Sequence, residues 1–158
     1  MPHRRDEIRK YIVDNLKHKT SLKENVFNWR VDPVESEAPN SLPCLSVLIP
    51  EERAIEADSS GSLIQREADI VIVIYNSIKN ERDMMSDVVA REVEKIMNQL
   101  NHKDFNFEYK KMDMTTENMA RRLLLLCCLH YECRYYTKEI PLLNEEDLDD
   151  FENLSVEI

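Results

Sequence analysis

The sequence predicts an α+β domain: a mostly antiparallel or mixed β-sheet with a long hairpin, packed against two amphipathic helices. Three observations predict it. Residues 4–18 and 81–101 place apolar side chains every three or four positions, the period of a helix with one buried face. Residues 44–49, 70–75, 105–109 and 122–136 are rich in β-branched and aromatic residues or alternate with period two. Between 49 and 70 the chain turns polar, as the outer part of a hairpin does.

The elements follow in order. "RRDEIRKYIVDNLKH" sets Ile8, Tyr11, Ile12 and Leu16 on one face of the first helix. "VFNWRVD" reads as a short strand marked by Val26, Phe27 and Trp29. "PVESEAPNSLP" has three prolines and no periodicity, so it reads as a loop. "CLSVLI" alternates Leu45, Val47 and Ile49 on one face as a strand, and Pro50 follows it; 44–76 together reads as a long antiparallel hairpin with polar outer parts. "EERAIEADSSGS" leads outward to a turn near Ser59–Ser62, and "LIQREADIVIVIYN" returns. The second helix carries Met85, Val88, Val89, Val93, Ile96, Met97 and Leu100. "FNFEYKKMDM" alternates Phe105, Phe107 and Tyr109 as a strand over 105–114. Residues 1–138 read as one domain of ordinary size, and 139–158 as an acidic, peripheral extension.

Composition excludes several functions. Glycine occurs once, at Gly61, so a Gly-rich phosphate loop is ruled out. The net charge of −10 disfavours a phosphate backbone, hence no sequence-specific nucleic acid is expected. The N-terminus lacks an apolar signal-peptide region. The longest apolar run, Leu123–Leu129, has seven residues, against the roughly 20 needed to span a bilayer. No membrane partner is expected, and the four cysteines read as reduced thiols.

"RRLLLLCCLHYECRYY" (121–136) is the stretch where chemistry would be sought. Cys127, Cys128, His130 and Cys133 are zinc-ligand types, but C-C-x-H-x-x-C is not a zinc-knuckle spacing. On a strand, Cys127 and Cys133 face one way and Cys128 and His130 the other. Cys127 and Cys133 would also stand about 20 Å apart. Leu129, Tyr131, Cys133 and Tyr135 alternate with His130, Glu132 and Arg134, so the stretch reads as a central strand over 122–136 with cysteines as small core residues. Cys44 reads as core, and His3, His18 and His102 as solvated element ends. No catalytic residue, cofactor or metal is expected. A metal- or thiol-dependent enzyme built on 127–133 is the alternative of a different class.

The order of elements and the stretch "VFNWRVDPVESEAPNSLPCLSVLIPEERAIEADSSGSLIQREADIVIVIYNS" (26–77) resemble the tail terminator proteins of long-tailed bacteriophages, the minor tail protein U family of phage lambda. The likeness lies in an aromatic strand ending in an arginine-containing turn (Phe27 to Arg30), an acidic loop closing on Pro43 before an apolar strand, and a strand of acids and aliphatics from Glu67 to Tyr75. "HRRDEIRKYIVDNL" looks like that family's opening helix, and the resemblance spans most of residues 3–137. The acidic extension after Thr137 has no counterpart in the family pattern.

The resemblance implies a non-enzymatic assembly protein of a phage or prophage. It would form a homohexameric ring that caps the tail tube and meets the head connector. It would sit in the virion tail and be assembled in the bacterial cytoplasm. The implied partners are a second copy of the chain, the tail tube protein and the head–tail connector or completion protein. Trp29, Arg30, Glu51, Glu52 and Arg53 are the expected interface residues, because arginine and tryptophan favour interface centres and opposite charges set register. A head-closure or tail-completion protein of similar build is the alternative within the assembly class. A generic adaptor whose acidic tail binds a basic partner is a third.

Overall fold

The computed structural model describes residues 4–28, 42–57, 63–78, 85–119 and 122–138. Trp29, Arg30, the loop through 41, the turn near Ser59–Ser62, residues 81–84 and the acidic extension lie outside them. The described elements are α1 (Arg4–Leu16), β1 (Val26–Asn28), β2 (Cys44–Ala57), β3 (Leu63–Ser77), α2 (Met85–Gln99), β4 (Phe105–Met119) and β5 (Arg122–Lys138). The strands form one sheet in the order β1-β2-β3-β5-β4. β1 runs parallel to β2, and every other pair is antiparallel. The fold is α+β with a mixed sheet, as the sequence predicts.

Both helices lie on one face of the sheet: α1 packs on β1 and β2, α2 on β3 and β5, and the helices touch each other. In α1, Ile8, Ile12 and Leu16 recur every four residues and are fully buried. Asp6 and Glu7 occupy its first turn, where the helix dipole favours acids. The helix stops at His18, whose φ of 63° is the left-handed conformation that ends helices. In α2, Val89, Val93 and Met97 make the buried row, whereas Val88 is exposed. Ser21 donates its backbone N–H and its hydroxyl to Glu92, tying the segment after α1 to α2.

Two strands run further than their sequence patterns. β2 continues through Pro50 to Ala57 because the register with β3 shifts between Leu48 and Glu51. An irregularity of that kind accommodates a proline, which cannot donate to the ladder. β4 runs to Met119, well past 114, because β5 pairs with it along its whole length up to Met119↔Arg122. Polar residues such as Thr115, Thr116 and Glu117 are thereby drawn into a strand that their own pattern does not announce.

The run 123–129 resolves into two faces. Cys127 and Leu129 join Tyr131, Cys133 and Tyr135 under the helices, in the core formed with Leu45, Val47, Ile70, Ile72 and Ile74. Leu124 and Leu126 point to the opposite face, where they cluster with Cys44, Val73 and Tyr75. Leu123 is exposed, so the run is not buried throughout. The doubly apolar composition reflects burial on both faces at this end of the sheet.

The composition of the extension leads to a prediction about the stability of the domain. The last fifteen residues hold seven acids and no base, so little apolar surface offsets the entropy of ordering them. Deleting Asn144–Ile158 is expected to shift the melting temperature by no more than ~2 °C, within the range of a surface change. A drop of several degrees by circular dichroism would assign the segment to the core instead.

Candidate interaction surface

Past Cys128 the face opposite the helices changes from apolar to charged. Arg53 on β2, Glu67 and Asp69 on β3, Glu132 and Arg134 on β5 and Lys110 on β4 stand side by side there. The Arg53 guanidinium grips Asp69 with both nitrogens, at 3.0 and 3.1 Å, and also donates to Glu67. Arg134 lies 3.4 Å from Glu67 and 3.2 Å from Glu132, and Lys110 lies 3.7 Å from Glu132. The hydrogen bond from Arg53 is the main cause holding Glu67 below the ordinary carboxyl value of 4.5. These carboxylates are matched by cations, so they form a structural ladder and not an acid–base pair.

The network carries a pH signature. A lowered folded-state pKa gives stability that is present above the unfolded value and lost as pH falls through the folded one. Arg53→Ala leaves Glu67, Asp69 and Glu132 facing one another without their shared cation. The variant is expected to melt below the wild type at pH 7 and to converge with it as pH falls below about 4.5, the ordinary value for Glu67. Parallel melts at pH 7 and pH 4 measure this, and a gap that persists at pH 4 would assign the loss to packing.

Glu52 points the other way. The register shift at Pro50 turns it to the helix side, beside Ala68. It accepts the hydroxyl proton of the buried Tyr135, and Arg5 lies 3.3 Å and Arg66 3.7 Å from its carboxylate. Burial, then the bond to Glu52, pushes the Tyr135 phenol well above its usual value. Of the three acidic-edge residues expected at an interface, Glu52 and Arg53 are therefore engaged within the subunit, while Glu51 is exposed. Trp29 and Arg30 lie outside the described residues.

The thiols are inert by environment. Cys44, Cys127 and Cys133 are buried and Cys128 half-buried. Burial pushes Cys127 and Cys128 up to about 11 and Cys133 to about 12. Cys127 and Cys133 lie in the core under the helices, while Cys128 packs on the opposite cluster and His130 Nε2 meets Asp113 Oδ2 at 2.8 Å. Among the described residues, no cluster of three His, Cys, Asp or Glu side chains is arranged to hold a metal ion. Treatment with a chelator is expected to leave the melting temperature unchanged. Stoichiometric zinc, removable only with unfolding, would contradict that.

What sequence reasoning missed is the outer edge of β4. Tyr109, Met112 and Met114 are exposed along its helix side, and Val88 of α2 is exposed as well. An open groove between α2 and β4 is lined by Glu94, Phe107, Tyr109 and Tyr131. The register shifts between Tyr109 and Lys111, where two adjacent lysines stand. A bulge with lysines is how an edge strand is kept from indiscriminate pairing, and "YKKM" interrupting an alternating pattern was the available signal.

A family model, phage minor tail protein U, matches residues 3–120, well over half of the chain. This chain belongs to the phage minor tail protein U family. Comparison with curated proteins finds none that matches. In this minor tail protein the matched region ends at the β4–β5 turn, yet β5 lies between β3 and β4 in the sheet. The structure of the matched region is therefore not complete without residues beyond it.

Proposed function

We propose that this phage tail protein is a tail terminator. It assembles into a ring, expected to be a hexamer, that stops tail-tube growth and presents a surface to the head connector or completion protein. The observation that carries this reading is the family match over residues 3–120. The site supports it by what it offers: a charged ladder, an exposed strand edge and apolar residues beside it, which serve recognition better than catalysis.

The charge distribution bears on the partner surfaces. The net charge is −10, and residues 139–158 alone hold eight acids and no base, leaving residues 1–138 at −2. The body is thus nearly neutral, and the capacity to attract a basic partner is concentrated in the extension. In this reading Trp29, Arg30 and Glu51 make subunit contacts, while Glu52 and Arg53 also hold the β2 edge in shape, Arg53 with its side chain still 39% exposed.

The mass in solution across a concentration series tests the ring. A closed oligomer should appear at high concentration or on a tube end, and Arg30→Glu should shift it toward monomer with the fold retained. A chain that neither forms closed rings nor binds the ends of its cognate tubes is not a terminator.

A further inference from the structure

The sheet exposes two different edges, and their charges match. One is the outer edge of β4, which pairs only with β5 among the described residues. The other is the outer edge of β2 beyond its short pairing with β1, which among the described residues covers Leu45–Val47. Past that pairing Pro50, Glu51, Ala54 and Ile55 are exposed. The two edges run in opposite directions, because β2 and β5 are both antiparallel to β3 and β4 is antiparallel to β5. A rotation about an axis inclined to the strands therefore brings β4 of one copy antiparallel to β2 of the next, and the inclination allows a stagger along the strands in a closed ring. The two edges differ, so the contact is head-to-tail and can close into a ring.

The pairing rows fix the relative levels of the two edges. Glu51 shares its row with Asp69, Glu132 and Glu108, while Arg53 shares its row with Glu67, Arg134 and Asn106. Lys111 is one row further on, opposite His130. Joined without a shift, Glu108 would face Glu51, a like-charge pair that destabilises a sheet. Moved by one row on the same face, about 7 Å along the strand, Lys111 faces Glu51 and Glu108 faces Arg53. The same shift brings Ile55 to the level of Phe107 and Asn106, and Pro50 to that of Met112. The Lys111 and Glu108 side chains are 66% and 59% exposed, so both are accessible for such pairing.

We propose that a second copy of this chain occupies the first half of the β4 edge by sheet continuation, its β2 from Pro50 to Ala57 antiparallel to β4 from Phe105 to Met112, in the register that sets Lys111 against Glu51 of the partner subunit and Glu108 against Arg53 of the partner subunit; beyond Met112 β4 parts from the neighbour, where β1 covers Leu45–Val47. The proposal rests on the ring reading and names the surfaces that close the ring.

Charge exchange tests it. Lys111→Glu and Glu51→Lys should each raise the concentration needed for ring assembly at least tenfold, and the chain carrying both should recover assembly. Unchanged melts confirm that the fold is kept. In a second test, Lys111→Cys and Glu51→Cys are combined in one chain. Within a subunit the two positions are separated by three strand spacings, about 14 Å, too far for a disulfide. Oxidation at assembling concentration should therefore yield covalent multimers up to the ring size. Rings that form as in the wild type with either single reversal, or oxidation that leaves only monomers, overturn the proposal while leaving the ring reading intact. A wild-type chain that forms no ring overturns both.

Discussion

A chain ending at Met119, one residue short of where the family match stops, is expected to be unfolded. Removing β5 leaves β3 and β4 without a shared partner, since β5 pairs with β3 from Leu63↔Lys138 to Ser77↔Leu124 and with β4 along its whole length. It also removes Leu124, Cys127, Leu129, Tyr131, Cys133 and Tyr135 from the core. At about 1.5–3 kcal/mol for each large apolar side chain, that loss is comparable to the ~5–15 kcal/mol by which a whole domain is stable, before the lost strand pairing is counted. Far-ultraviolet circular dichroism and a thermal melt decide the matter. A cooperative transition in the truncated chain would show that the matched region is a folding unit without β5.

Glu52→Ala is expected to be the most damaging change at the β2 edge. It strips the buried Tyr135 hydroxyl of its acceptor and leaves Arg5 and Arg66 without the carboxylate between them. Leaving the buried hydroxyl unsatisfied, with two partly exposed arginines around it, costs about 1–3 kcal/mol, or roughly 5 °C in Tm. Glu52→Gln keeps an acceptor for Tyr135 and should lose less than half as much. Arg66 keeps its bond to Thr137 Oγ1 at 2.7 Å in either variant. If Glu52→Ala melts like the wild type but fails to assemble, the residue belongs to an interface and not to the fold. Glu51→Ala, one residue away and exposed, is the control that should leave Tm unaffected.

Much of the architecture was legible because periodicity reports burial on a single face. Ile8, Ile12 and Leu16 announce α1, and the alternation from Leu129 to Tyr135 announces β5 together with the harmless placement of its cysteines. What stayed hidden has a common cause. Pro50 closes the alternating run 44–49, and only the pairing with β3 shows the register shift by which β2 passes through it. That shift also turns Glu52 inward, so three consecutive charged residues that look alike in sequence divide into an exposed one, a buried anchor and the centre of a charge ladder. The ladder itself joins Arg53, Asp69 and Glu132, residues distant in sequence that only the sheet brings together. Lys110 and Lys111 gain meaning only from the strand order, which puts β4 at an edge of the sheet.

The most direct measurement is electron microscopy of cognate tail tubes polymerised with and without this protein. The account predicts that the protein sits as a ring at one end of each tube and that tubes carrying it stop growing. Tubes that lengthen equally in its presence, with no density added at either end, would contradict it.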